Sequence, residues 1–119
     1  MPALNMEEDV LLVNDVEIEG SSPSGGVVSV WTLNRPEKLN ALNEKIHLSI
    51  KKQCKRVDSD DRVRCVIIRG APPLEPPEGK RKKPNSFAAG ADISEFSGKN
   101  SDDVRPFFED NAWEAIWNL

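Results

Sequence analysis

Val27-Val28-Ser29-Val30-Trp31-Thr32-Leu33-Asn34-Arg35-Pro36-Glu37-Lys38-Leu39-Asn40-Ala41-Leu42-Asn43 changes its pattern twice. Val27 to Leu33 is rich in β-branched residues and reads as a strand. Asn34 to Lys38 stops it. Pro36 has no N–H to give a ladder, and it pushes Arg35 into an extended conformation. Leu42, Ile46, Ile50, Cys54 and Val57 follow at spacings of 4, 4, 4 and 3, which is one apolar stripe along a helix. Asn43 followed by Glu44 suits the start of that helix. Lys51, Lys52, Lys55 and Arg56 suit its C-terminal end electrostatically, and Asp58 to Asp61 ends it.

Upstream, Val10 to Glu19 turns to apolar–polar alternation in its later half, as a half-buried strand does. Gly20-Ser21-Ser22-Pro23-Ser24-Gly25-Gly26 is a turn, so a hairpin is expected. Downstream, Val63 to Gly70 holds a continuous apolar core and fits a strand buried on both faces. Strand, helix, strand in that order suggests a right-handed crossover and an α/β fold. Residues 71–85 are Pro-rich, carry Lys80-Arg81-Lys82-Lys83, and read as an exposed loop or insertion. Val104, Phe108, Ala112, Ile116 and Leu119 repeat the spacing 4, 4, 4, 3. One second helix is expected there, its regular part starting near Pro106. The stripe is still running at Leu119, with Trp113, Ile116 and Trp117 unpartnered, so a fragment of a longer chain is expected. Residues 1–9 read as an extension, and 10–119 as part of one domain.

Composition removes several function classes. The 119 residues carry 16 Lys and Arg against 20 Asp and Glu, a net charge of −4, which argues against a dedicated nucleic-acid binder. No run approaches the roughly 20 apolar residues that a bilayer requires. Cys54, Cys65 and the single His47 cannot supply the about four ligands of a zinc site, so no metal is expected. The two cysteines read as reduced, partly buried thiols of an intracellular protein. His47 reads as a surface or boundary histidine. The N-terminus lacks a basic and an apolar region and is acidic where a transit peptide would be Arg-rich. A cytoplasmic protein is the simplest expectation, a mitochondrial or peroxisome-like location the alternative.

The chemistry lies in two segments, Leu33 to Asn43 and Ser86-Phe87-Ala88-Ala89-Gly90-Ala91-Asp92-Ile93. Small residues in a row let a ligand approach the backbone and leave N–H groups to point at it. A tight strand-to-helix connection would use the same residues. The two segments, in this order with a helix and a strand between, resemble the enoyl-CoA hydratase/isomerase (crotonase) family. Its pattern is LNRP…NAL after the second strand and, later, FxxGxD[IL]. The likeness covers roughly Val10 to Leu119. It implies the N-terminal part of a crotonase-type ββα spiral fold, incomplete in this chain.

The resemblance also implies a site. The backbone N–H of Ala91 would be one oxyanion donor toward a thioester oxygen. Its partner donor is a glycine further along the family's chain. Ala89, Gly90, Asp92 and Ile93 would line the adenine side, and Ala41 the CoA tunnel. Arg35 and Lys38 could meet CoA phosphates or be solvated turn charges. Asn34 and Asn40 would brace the turn. Ser94 stands where several relatives carry a phosphate-contacting lysine. The connection that carries Lys80 to Lys83 is longer than in relatives, and the basic run could attract the 3′-phosphate or be a solvated loop. No separate cofactor is implied, because CoA belongs to the acyl-CoA thioester substrate. A trimer or pair of trimers is implied for the full-length protein.

The family's catalytic glutamates come from a later region, after a Gly-rich stretch, and nothing in this chain matches them. Glu109 and Glu114 lie in no such motif. Hydration or isomerisation of 2-trans-enoyl-CoA is therefore expected of a parent protein, with little catalysis from this chain alone. Another acyl-CoA reaction (hydrolysis, dehalogenation, decarboxylation) or a non-catalytic interaction module would carry the same two segments.

Overall fold

A computed structural model describes residues 9–20 and 25–119 of the chain. The expected N-terminal extension and the tip of the first turn lie largely outside these residues. Strands β1 (Leu11–Glu17), β2 (Val27–Leu33) and β3 (Val63–Gly70) form one sheet in that spatial order. β1 and β2 are the expected antiparallel hairpin, with Asp15 opposite Ser29 and Val13 opposite Trp31. β3 lies parallel to β2, and helix α1 (Glu44–Asp58) makes the connection between them. Parallel neighbours need such a crossover, since a tight turn cannot reverse the chain twice.

The helix forms where the stripe predicted it. Asn43 is its N-cap, its side chain accepting from the Ile46 N–H at 2.9 Å. Ile46, Ile50 and Cys54 are the buried stripe, and they meet Trp31 and Leu33 of β2 and Leu11 of β1. Burial pushes the Cys54 thiol pKa up. Fully burying each large apolar side chain is worth about 1.5–3 kcal/mol, so this cluster is the main cohesive term. A polar network pins its edge. Trp31 Nε1 donates to Ser29 Oγ at 2.8 Å, Ser29 Oγ donates to Asp15 Oδ1 at 2.6 Å, and Arg56 of α1 meets both Asp15 oxygens at 2.9 and 3.0 Å. The Arg56 hydrogen bond, ahead of that from Ser29, holds the Asp15 carboxyl below its usual pKa.

Four expectations are corrected. β3 is not buried on both faces. Val66 and Ile68 pack on the core, but Ile67 between them is 49% exposed, because β3 is an edge of this three-stranded sheet. Cys65, also on β3, is exposed rather than partly buried. Residues 101–119 are not one helix. Helix α2 (Ser101–Glu109) and helix α3 (Ala112–Trp117) are separated at Asp110 and Asn111. Asn111 caps α3 by accepting from the Glu114 N–H at 3.1 Å. Asn100 and Asp103 form a capping box, so α2 begins five residues before Pro106, not at it.

α3 docks on α1 through Ala112, whose N–H donates to His47 Nδ1 at 3.1 Å. Nδ1 is therefore the unprotonated nitrogen. Phe107 and Trp113 approach the imidazole edge-on, each with ring centroids 6.5 Å away. Burial, opposed by Glu95 and assisted by Lys51, lowers the His47 pKa from its ordinary 6.5. No helix among the described residues is long and apolar enough to cross a membrane.

Two stability tests follow from this packing. A Cβ on Gly70 would lie 2.6 Å from the Phe87 carbonyl oxygen and closer still to that of Ser86. Gly70→Ala is expected to lower stability by about 1–3 kcal/mol, read from urea unfolding. An unchanged midpoint would mean that residues 86–87 do not cross β3 there. The folded His47 binds a proton less readily than the unfolded one. Its contribution is thus complete above pH 6.5 and is lost as pH falls through the lower folded value. The melting temperature should drop between pH 7.5 and 5.5, and His47→Gln should flatten that part of the drop. Equal drops in the two proteins would exclude His47 as the source.

Candidate functional site

Beyond β2 the chain makes a 3₁₀ turn at Pro36–Lys38, and then Leu39 and Asn40 take positive φ values of 51° and 59°. Left-handed backbone costs a non-glycine residue about 1–2 kcal/mol, so something must hold it. The Asn40 side chain does much of this. Its Oδ1 accepts from the Arg35 N–H at 3.0 Å, and its Nδ2 donates to the Ala71 carbonyl at 3.0 Å and the Ser86 carbonyl at 2.9 Å. Asn40 is buried. The Leu39 carbonyl accepts from the Ala89 N–H at 3.1 Å and from Ser86 Oγ at 3.0 Å. The expected bracing role of Asn40 is present and reaches well outside its own turn. Asn34 braces the turn from the other side, its Nδ2 donating to the Asp9 carbonyl at 3.0 Å.

These bonds bring the two sequence segments side by side. Leu42 and Ala91 form a parallel bridge. The Leu42 N–H donates to the Gly90 carbonyl at 2.7 Å, and the Asp92 N–H donates to the Leu42 carbonyl at 2.8 Å. Successive backbone groups point to opposite sides of an extended segment. With Gly90 and Asp92 facing Leu42, the Ala91 N–H faces the other way, and among the described residues it meets no acceptor. Gly90 has φ of +100°, which L side chains rarely adopt. Ala89, Gly90 and Ala91 are exposed.

Arg35 joins the segments through its side chain. Its guanidinium donates to the Ala41 carbonyl at 2.6 Å and to Asp92 Oδ2 at 3.0 Å. The pair is largely covered, with side-chain exposures of 12% and 15%. Asp92 Oδ1 accepts from Ser94 N–H at 3.1 Å and Oγ at 2.6 Å. The Ser94 hydroxyl first, then Arg35, keeps the Asp92 carboxyl below its ordinary pKa of 3.8. Its contribution is complete above that pH and is lost only as pH falls through the lower folded value. Glu95 closes the assembly by accepting from the Glu44 N–H at 2.7 Å, at the start of α1.

Of the residues singled out in the sequence, Ala41, Ala89, Gly90, Ala91 and Asp92 are thus gathered at one place. Ile93 follows at the start of a 3₁₀ turn and is 78% exposed. Lys38 is exposed, with no carboxylate partner among the described residues. Arg35 is turned inward and braces the backbone. Ser94 holds Asp92. Glu95 and Gly70 were missed. A strand-final glycine is a signal of close backbone approach, whereas the Glu95 contact, 51 residues distant in sequence, leaves none. No group of three or more His, Cys, Asp or Glu side chains able to hold a metal occurs among the described residues.

The sequence profile of the enoyl-CoA hydratase/isomerase family matches residues 28–118. A probable enoyl-CoA hydratase of Mycobacterium leprae is 35% identical over 91 residues, covering 75% of this chain and 30% of that protein. A short-chain-enoyl-CoA hydratase of Clostridium acetobutylicum is 38% identical over 82 residues, covering 69% of this chain and 27% of its own. The crystal structure of an enoyl-CoA hydratase from Mycobacterium tuberculosis superimposes with a TM-score of 0.53 at 28% identity, over 78% of this chain and 33% of that one. The chain therefore spans about a third of the length of these relatives. With the paired segments, the α/β fold and the profile in agreement, the chain belongs to the enoyl-CoA hydratase/isomerase family.

Proposed function

We propose that residues 10–119 are the N-terminal part of an acyl-CoA-binding domain, with 71–85 as an insertion. We infer that the protein to which they belong hydrates or isomerises 2-trans-enoyl-CoA. The observation that carries this reading is the Ala91 N–H, directed away from the Leu42 bridge and unspent. As water adds across the double bond, or as a proton moves along the acyl chain, electron density shifts onto the thioester oxygen. A preorganised donor stabilises that charge, and one such donor is typically worth about 10²–10³ in rate. Gly90 and Ala89 leave room for the thioester to come close, and Ala41 lines the other side. Hydration delivers hydroxide to the β-carbon and a proton to the α-carbon, so it needs carboxylates besides the donor. The family resemblance assigns those to a later region. Arg35 and Asp92 are positioning residues in this reading, and Lys38 is the outward cation available to a phosphate. CoA is part of the substrate, with no separate cofactor, and the assembled protein is a trimer or pair of trimers.

Calorimetric titration of the 119-residue chain with acetoacetyl-CoA, with amide shifts followed by NMR, tests the reading. Saturable binding that moves Ala89 to Ile93 is expected. A folded chain that binds nothing, or binds without moving Ala91, would sink it. Arg35→Lys keeps the charge but loses the planar fork that spans Ala41 and Asp92. Thioester affinity is expected to fall by about tenfold, the worth of one charge-assisted hydrogen bond. Equal affinity would remove Arg35 from the site.

A further inference from the structure

The junction of α2 and α3 is tied to α1 by two polar contacts, and a titratable group makes the better covered one. His47 Nδ1 accepts from the Ala112 N–H at 3.1 Å, and Ala112 is fully buried. The other tie lies in solvent. Lys51 Nζ meets Asp110 Oδ2 at 2.9 Å and the Asp110 carbonyl at 3.3 Å, and the Asp110 side chain is 77% exposed. An ion pair so exposed contributes little. Asn111 Nδ2 donates to the Phe107 carbonyl at 2.9 Å, which joins the junction to the end of α2. Phe107 stands edge-on to His47 and also to Phe96, 5.7 Å away. Phe96 closes the 3₁₀ turn Ile93–Phe96, which follows directly on Asp92. Contacts thus run from His47 through Phe107 to the turn behind residues 89–92.

Charged groups face the imidazole from the elements packed on it. Glu44 and Lys51 lie one turn before and after it on α1, Asp110 faces it across the cleft between α1 and α2, and Glu95 approaches from the 3₁₀ turn. Lys99 Nζ lies over the Phe107 ring at 5.3 Å. α3 puts no charged side chain into that cleft. A neutral imidazole offers one bare nitrogen, whereas an imidazolium is a donor at both. Protonation of Nδ1 sets two N–H groups against each other and leaves the Ala112 N–H buried without a partner, which costs more than the bond contributed. α3 packs on the core through Ala112, Ala115 and Ile116, two of them alanines, so its release exposes little apolar area. We propose that His47 is a proton-operated latch: neutral, it holds the α2–α3 junction on α1, and protonated, it lets residues 107–117 come away while the sheet and α1 stay folded. The released form binds the proton more readily, so release rises as pH falls. Release withdraws Phe107 from Phe96 and loosens the turn that follows Asp92. That this turn backs a thioester site rests on the reading given under Proposed function; the latch does not.

Amide hydrogen exchange of the 119-residue chain between pH 7.5 and 4.5, with the His47 ring resonances followed by NMR, tests the latch. Protection factors at Ala112, Ala115 and Ile116 should fall by about tenfold or more, the worth of one hydrogen bond to a buried group. The fall should share its midpoint with the ring titration, while protection at Trp31 and Ile50 holds. His47→Gln keeps an oxygen that can accept the Ala112 N–H and does not titrate, so its protection should stay level across the range. Glu95→Gln removes a carboxylate that favours the imidazolium, and should move both midpoints to lower pH. A ring that does not titrate in this range, or one that titrates while Ala112 stays protected, overturns the latch. So does a loss of protection that persists in His47→Gln, or one that takes Trp31 and Ile50 with it. Should His47→Gln fail to fold, the first two proteins decide: midpoints that move together in Glu95→Gln support the latch, and midpoints that separate overturn it.

Discussion

One side-chain amide, that of Asn40, ties together everything that makes a site here. Its two N–H groups go to the carbonyls of Ala71 and Ser86, and its oxygen takes the Arg35 N–H. An amide can satisfy a donor and two acceptors in only one orientation, so the side chain has no alternative flip. Each bond is worth about 1 kcal/mol net, but leaving a buried carbonyl unpaired costs about 1–3 kcal/mol. The two carbonyls flank the insertion. Residues 72–85 therefore begin and end at one clamped point, and what lies between them need not disturb the sheet. Gly70 is the other half of this junction, because only a residue without Cβ lets Ser86 and Phe87 cross so near the end of β3.

From that point the strain at Leu39 and Asn40 becomes useful. The left-handed pair swings Ala41 and Leu42 across to the 89–92 segment, where two backbone hydrogen bonds receive Leu42 and a third, from the Ala89 N–H, holds the Leu39 carbonyl. Arg35 and Asp92 then lock the crossing from the outside. Losing either partner would leave the other charge largely covered and unpaired, and such a change costs much more than the pair contributes when intact. The consequence is a site made from main-chain groups. Its side chains need only be small, and its precision comes from residues that need not touch a ligand.

Much of this was legible in the sequence where a period or a cap expressed it. The stripe from Ile46 to Cys54, the Asn43 cap and the hairpin were all found by local rules. β3 was misjudged because a run of apolar residues reports a strand's composition, not how many neighbours it has. Helices α2 and α3 were merged because the 4, 4, 4, 3 spacing runs unbroken across Asn111, so the stripe hides the cap. The site was legible as two segments but not as a mechanism of assembly. Asn40 reaches partners 31 and 46 residues away, and Arg35 finds Asp92 57 residues away. Nothing local marks an arginine in a polar turn as one that faces inward.

The electrostatics divide along the same line. The chain as a whole carries −4, a sign that repels a polyanion. Arg35 cannot offset this, because Asp92 neutralises it. Exposed charges further apart than about 8 Å are screened at physiological ionic strength. A phosphate near this chain therefore responds to the cations beside it and not to the total. Among the described residues, outward cations near the site are Lys38 on the turn, Lys45 at the start of α1 and the run at 80–83, of which only Lys82 meets a carboxylate. The exposed groups are thus the ones free to attract an anion, while the inward pair supplies rigidity. A fold that uses its covered charges for shape and its exposed ones for attraction can vary the second without loss of the first.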